Sequence, residues 1–180
     1  MAQRLTRQEV PVDETWKLED LFPTMEAWED ALGAVDSEIA QVTRYSGRLA
    51  EGPGTLLECL EAAENLLRNF SHVSLYATLL LSADGTNPSN QAIAGRAAAA
   101  RARVEAGVSF IEPEILQLPC GAIPKYLAAE PGLEPFRRNL EKTIANKSYV
   151  FSRETEEILA SLGETMRAPY MLYNRTKSSD

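Results

Sequence analysis

The stretch TLLECLEAAENLLRNFSHVSLYATLLL, residues 55–81, decides the fold of this 180-residue chain. Its apolar residues recur at spacings of three and four, which places them on one side of an α-helix. A principal seam and a second group that widens it are predicted to be buried: Leu56, Leu60, Ala63, Leu67, Phe70, Ala77 and Leu81, then Leu66, Val73, Tyr76 and Leu80. A helix with so wide an apolar face is typical of the centre of a bundle, with neighbours on two sides.

Helix signals flank this segment on both sides. Upstream, Thr24 is a predicted N-cap, followed by a face with helical spacing: Trp28, Leu32, Val35, Ile39 and Val42. Downstream, Asn87 and Pro88 open a third helix, whose many small residues favour a tight antiparallel hairpin with the central helix. Five prolines between Pro113 and Pro135 predict short helices, and Ser152 is the predicted cap of a last one.

These signals define the fold class, because no segment shows the alternation with period two that indicates a β-strand. We predict an all-α fold, an antiparallel helical bundle with a long central helical hairpin and an irregular N-terminal arm. The arm is expected to be extended over residues 1–23, and the helical lobe to span residues 24–166. Residues 167–180 carry large apolar groups but no closing element.

Composition limits the classes of partner and the cellular compartment that we expect for this chain. The net charge is −8 and the chain has no run of Lys or Arg, so nucleic acid is not an expected partner. No stretch reaches the ~20 apolar residues that a membrane span needs, so no membrane association is expected. Two cysteines and the lack of an apolar leader favour the reducing cytoplasm.

The sequence lacks the residues for common hydrolytic sites. Zinc hydrolysis needs several protein ligands, usually with two histidines in H-E-x-x-H, and this chain has a single histidine, His72. We therefore predict no catalytic residue, no metal ligand and no cofactor in this chain. A thiol hydrolase built on Cys120 and His72 is a weaker alternative, because no third orienting group is evident.

Five residues remain as candidates for an interface. His72 extends a polar stripe on the central helix, and Arg96 and Arg103 lie seven residues apart on the third helix. The two arginines could face a peptide carboxylate or an acidic helix, although a solvated or salt-bridged face is the simpler interpretation. Tyr170 and Tyr173 lie in the C-terminal stretch and could contact a ligand or a further domain.

The order of several segments resembles bacterial oligoendopeptidase F enzymes. The similar segments span most of the chain and occur in the order of the family: VPVDETWKLEDLFPTMEAWEDAL (10–32), SLYATLLLSADGTNPSNQ (74–91), FIEPEILQLP (110–119), YVFSRETEEILASLGE (149–164) and APYMLYNRTKSSD (168–180). The resemblance implies a zinc metallopeptidase that cleaves short peptides inside a closed, mostly helical shell. The catalytic part of that family carries H-E-x-x-H and a downstream Glu ligand, which this sequence does not contain.

The resemblance therefore implies an N-terminal lobe, with residues 167–180 leading towards a missing catalytic domain. Such a lobe would cover the peptide channel and restrict access to short peptides, and the five candidate residues would be interface or channel-lining residues. Its expected partners are the catalytic domain and an oligopeptide substrate, with zinc implied for the full-length parent only. The alternative is a stand-alone helical interaction or adaptor module. The lobe hypothesis also predicts an exposed apolar surface, through which the isolated chain could self-associate.

Overall fold

The computed structural model describes residues 10–11 and 14–147 and, towards the C-terminus, residues 162, 165–166, 168–173 and 176. The chain divides into two compact units, residues 1–143 and 144–180. Within the described residues the regular structure is helical and includes no strand, which confirms the all-α prediction. The α-helices are α1 (Met25–Thr43), α2 (Pro53–Ala83), α3 (Pro88–Val108), α4 (Ile111–Gln117), α5 (Ala122–Ala129) and α6 (Arg137–Asn146).

Local capping explains where the first long helices begin. The Thr24 hydroxyl oxygen accepts a hydrogen bond from the backbone N–H of Ala27 at 3.1 Å, which confirms the predicted cap of α1. The Asn87 side-chain oxygen accepts one from the N–H of Ser89 at 2.9 Å, with Pro88 at the first position of α3. Helix α2 begins at Pro53, two residues before the predicted start at Thr55.

Pairs of contacting residues define the directions of the three long helices. Glu29–Arg96 and Asp36–Arg103 each join α1 to α3 across 67 residues of sequence, so these two helices run parallel. Between α2 and α3, Arg101 contacts the Phe70 ring and the Asn90 side chain donates to the Leu80 carbonyl. From the first contact to the second, the residue number increases along α2 and decreases along α3. The two helices therefore form the predicted antiparallel hairpin.

An aromatic cluster joins the N-terminal arm to the bundle. The Trp28 indole N–H donates to the Val73 carbonyl oxygen at 3.0 Å, and its ring lies nearly parallel to that of Tyr76, with centroids 6.2 Å apart. Phe22 meets the same Tyr76 ring edge-on at 5.6 Å. The arm is not wholly extended, because Leu18–Asp20 forms a 3₁₀ turn just before this contact.

The buried face of α2 agrees with the predicted one at most positions and departs from it at three. Cys59 is fully buried, whereas Leu67 and Leu81, predicted to be in the core, are 47% and 36% exposed. The buried positions advance by three and four from the start of the helix: Leu56, Cys59, Ala63, Leu66, Phe70, Val73, Tyr76 and Ala77. The α2 surface is apolar around most of its circumference, so its neighbours rather than its own pattern select the buried side.

The short helices after α3 do not break at their prolines. Pro113 and Pro124 lie in the first turns of α4 and α5, where a missing backbone N–H costs no helical hydrogen bond. A 3₁₀ helix, Pro131–Phe136, then leads into α6, whose Leu140 is buried. The predicted cap at Ser152 lies outside the described residues, and the predicted domain boundaries after residues 23 and 166 stay predictions.

Of the second unit the structure describes residues 144–147, at the end of α6, and a few positions further along the chain. Residues 162, 165–166, 168–173 and 176 have helical backbone conformation. Within the described part of the chain, no helix has the length and apolar character required to cross a membrane.

Two glycines of α3 provide a matched test of how closely α1 and α3 approach. A Cβ atom at Gly107 would lie 2.8 Å from the Cγ2 atom of Ile39, whereas one at Gly95 would meet no atom within 4 Å. We expect Gly95→Ala to raise the free energy of unfolding by about 0.5–1 kcal/mol, since alanine favours the helix. We expect Gly107→Ala to lower it by about 1–3 kcal/mol through overpacking. Urea denaturation followed by circular dichroism measures both, and equal effects of the two substitutions would contradict the close approach.

Candidate functional site

An apolar groove of about 700 Å³ lies in the first unit. Three parts of the chain line it: α2, the end of α3 with α4, and the stretch from Pro135 into α6. Most of the lining side chains are apolar: Leu60, Ala63, Leu67, Val108, Ile111, Ile115, Pro135, Phe136 and Leu140. A volume of this size lies within the range of ligand and docking pockets in proteins.

The polar residues of the groove contribute little net charge. Glu64 and Arg68, one turn apart on α2, form an ion pair of 2.8 Å on one side. Glu112, Asn139 and Thr143 complete the polar lining. Glu64 and Arg68 neutralise each other, which leaves the carboxylate of Glu112 as the lining charge without an ion pair among the described residues. The groove therefore offers mainly apolar surface to a partner.

Among the described residues that line this groove, Leu67 has the most exposed large apolar side chain. It lies in the middle of α2 and is 47% exposed, whereas Ala63, Ile115 and Leu140 in the same groove are buried. Its exposed side chain adds to the apolar surface that the groove offers to a partner. Periodicity could not identify it, because the same periodicity predicts a core position for Leu67.

A smaller pocket of about 440 Å³ has a structural explanation. Its lining includes Glu114, Gly47 and Ala50. The Glu114 carboxylate accepts hydrogen bonds from the backbone N–H groups of Gly47, at 2.6 Å, and Leu49, at 3.4 Å. Gly47 has a φ of +79°, which glycine adopts without strain. Glu114 therefore attaches α4 to the turn between α1 and α2.

Arg96 and Arg103 join α3 to α1. The Arg96 guanidinium lies 2.7 Å from the Glu29 carboxylate, and that of Arg103 lies 2.8 Å from Asp36. The Arg96 guanidinium also lies over the Trp28 ring, 5.2 Å from its centroid. Both arginines thus have partners within the bundle, which agrees with the salt-bridged interpretation of this helix face.

His72 and the two C-terminal tyrosines lie elsewhere. His72 is exposed on α2, and within the described residues no hydrogen bond or ion pair joins it to Arg96 or Arg103. Tyr170 and Tyr173 belong to the second unit and are 69% and 59% exposed. A role of any of these five residues in an interface or a channel stays a prediction.

The described residues do not fit a metal site, and the two thiols differ in their surroundings. Among these residues no three His, Cys, Asp or Glu side chains are grouped so that they could hold a metal ion. Cys120 is exposed, and it forms no hydrogen bond with His72 in the described part of the chain. Burial raises the pKa of the Cys59 thiol to about 11, and the negative charge of Glu114 contributes to the same shift.

The described residues form a helical domain with an apolar groove. Comparisons with known proteins identify its relatives. A family model described as oligopeptidase F, of the peptidase M3 N-terminal type, matches residues 114–180, from α4 onwards. The group B oligopeptidase PepB of Streptococcus agalactiae is 33% identical over 85% of this chain and 26% of its own length. The oligopeptidase PepF of Bacillus subtilis is 24% identical over 97% of this chain and 26% of its own.

A solved structure agrees with these sequence relatives. The crystal structure of oligoendopeptidase-F from Enterococcus faecium has a TM-score of 0.67 and 30% identity, covering 81% of this chain and 29% of that one. This chain thus spans about a quarter of the length of the curated relatives that it matches. The predicted resemblance is confirmed, and the chain is related to the N-terminal part of the oligoendopeptidase F family.

The two thiols generate a labelling prediction. At about pH 8 iodoacetamide should modify Cys120 in the native chain and leave Cys59 unmodified, since only a thiolate reacts. In urea both should react, and Cys120→Ser should abolish labelling of the native chain. Intact-mass spectrometry measures the result, and native labelling of Cys59 at the rate of Cys120 would contradict its burial.

The raised pKa of Cys59 also determines a pH dependence. Because the folded chain holds this proton to higher pH than the unfolded chain does, the stability linked to it is complete below the ordinary thiol pKa of 9.0. This stability is lost as the pH rises from there towards about 11.

The two arginines of α3 provide a second matched pair. Each has one exposed ion pair, but only Arg96 also lies over an aromatic ring. Arg103→Gln should lower the free energy of unfolding by about 0–1 kcal/mol, as is usual for an exposed ion pair. Arg96→Gln should lower it by roughly 0.5–1 kcal/mol more, because the contact with Trp28 is also lost. Equal effects in urea denaturation would show that the ring contact contributes nothing.

Proposed function

We propose that this chain is the non-catalytic N-terminal lobe of a cytosolic zinc metalloendopeptidase similar to oligoendopeptidase F. The observation that carries the proposal is the alignment of 97% of the chain with only 26% of the Bacillus subtilis oligopeptidase PepF. In this proposal a catalytic part, which includes the zinc ligands, belongs to the remaining length of such a protein. That part and oligopeptide substrates are the partners of the lobe.

The proposed task of the lobe is to cover the peptide channel and to restrict entry to short peptides. The three-helix arrangement supports this task, because α1, α2 and α3 each pack against the other two and the ion pairs of Arg96 and Arg103 hold α1 against α3. A wall held at several points can exclude folded proteins, whereas a short peptide in extended form can pass. The free thiols Cys59 and Cys120 support a reducing, cytoplasmic location.

The test compares the product of the whole reading frame with the 180-residue chain. We expect the whole product to cleave a quenched fluorescent peptide in a zinc-dependent manner and to spare a folded protein substrate. A chelator should abolish the cleavage, and added zinc should restore it. The 180-residue chain should show no cleavage with or without zinc.

Two outcomes would overturn this proposal. A reading frame without H-E-x-x-H beyond Asp180 would remove the catalytic part and favour the stand-alone interaction module. Zinc-dependent cleavage by the purified 180-residue chain would contradict its assignment as a non-catalytic lobe. If the whole product cleaves folded proteins as well as short peptides, only the proposed restriction of access is contradicted, and the assignment as a non-catalytic lobe remains.

A further inference from the structure

We infer that the apolar groove lined by Leu60, Leu67, Ile111, Phe136 and Leu140 is the surface on which the catalytic part of the same polypeptide docks, through apolar side chains of that part. This inference rests on the proposed function, because it needs a catalytic part in the same protein. It goes further in assigning the contact to one surface of the first unit. These five residues were not among the candidates that the sequence indicated for an interface.

The chemistry of the groove favours an apolar occupant. Its floor contains the buried side chains of Ala63, Ile115 and Leu140, and Leu67 beside them is 47% exposed. Covering these groups removes apolar surface from water, which is the main favourable contribution to most protein association. An anionic ligand would find no comparable contribution, since Arg68, the cationic side chain of the described lining, is already paired with Glu64 at 2.8 Å.

The connectivity of the chain favours a segment of the same polypeptide over a second copy. Residues Asn139, Leu140 and Thr143 of α6 line the groove, and α6 also carries the chain onwards from the first unit. In the proposed full-length protein the catalytic part is joined covalently to the chain that leaves α6, and an intramolecular partner has an effective concentration that a second copy in free solution lacks. A second copy must reach the groove from free solution and must offer a self-complementary surface.

The relatives are long enough to contain a catalytic part that could dock on the groove. The chain corresponds to 26% of the oligopeptidase PepF and to 26% of PepB, so about three quarters of their length lies outside the matched region. The family match begins at residue 114 and therefore includes the α6 wall of the groove. The groove is formed where this matched region packs against α2 and α3.

Thiol labelling tests the inference with a control on the same helix. Leu67 and Leu75 of α2 are 47% and 45% exposed, and only Leu67 lines the groove. Eight residues of helix place them about 12 Å apart along its axis. Leu67→Cys and Leu75→Cys are made separately in a Cys120→Ser background, both in the 180-residue chain and in the product of the whole reading frame. Maleimide labelling rates are then compared.

We expect similar labelling rates for the two thiols in the 180-residue chain. In the whole product the Leu67→Cys thiol should react at least tenfold more slowly than in the 180-residue chain. The Leu75→Cys thiol should change by less than about threefold, since access to the thiol governs the rate. A second pair on α6 repeats the comparison if a leucine variant fails to fold. Asn139 is exposed and lines the groove, whereas its neighbour Arg138 is exposed and lies outside the groove. The second pair of variants is therefore Asn139→Cys and Arg138→Cys.

Each other outcome overturns the inference and identifies what replaces it. Equal rates in both proteins mean that the catalytic part does not cover the groove, and the proposed function then still stands if the whole product is a zinc-dependent peptidase. Protection in the 180-residue chain that grows with its concentration identifies a second copy as the occupant. A reading frame without a catalytic part overturns the inference and the proposed function together, and sequencing shows this before any labelling.

Discussion

The contacts that Trp28 of α1 makes with α2 and α3 are the interaction on which the rest of the bundle depends. Its ring belongs to α1, donates its N–H to the α2 backbone at Val73 and lies under the Arg96 guanidinium of α3. Trp28 has no exposed surface, so its donor needs a protein partner, and the Val73 carbonyl provides one without interrupting α2. This requirement sets the rotation of α1 against α2, and the parallel alignment of α1 with α3 places Glu29 and Asp36 opposite Arg96 and Arg103.

Features that depend on a few neighbouring residues could be predicted from the sequence. The caps at Thr24 and Asn87 are confirmed, because one side chain and the following two or three backbone N–H groups determine them. The apolar face of α1 is also confirmed. Its apolar residues lie on one side of the helix, so only one rotation of α1 buries them. The buried residues of this face are Trp28, Leu32, Val35 and Val42. The hairpin of α2 and α3 follows from the short turn between two long helices.

Features that depend on distant parts of the chain could not be predicted in the same way. Helix α2 has leucines around most of its circumference, so its pattern permits several rotations, and α1 and α3 select the one that buries Cys59 and exposes Leu67. The charged residues show an intermediate case. Arg96 and Arg103 are seven residues apart, as are Glu29 and Asp36, and matching intervals on two helices indicate two ion pairs in one register. The sequence alone does not show that these helices are parallel, which is the condition for the match.

The groove shows why resemblance rather than local pattern identified the protein class. Its walls come from α2, from the junction of α3 and α4, and from α6, which are separated by dozens of residues in sequence. No wall taken alone indicates a binding surface, and only their packing places the exposed Leu67 beside the buried apolar side chains of the groove. Such a surface carries no chemical motif, because covering apolar groups needs shape and area rather than particular reactive residues. A lobe that acts by covering and docking can therefore have a definite function while its sequence lacks every catalytic signature.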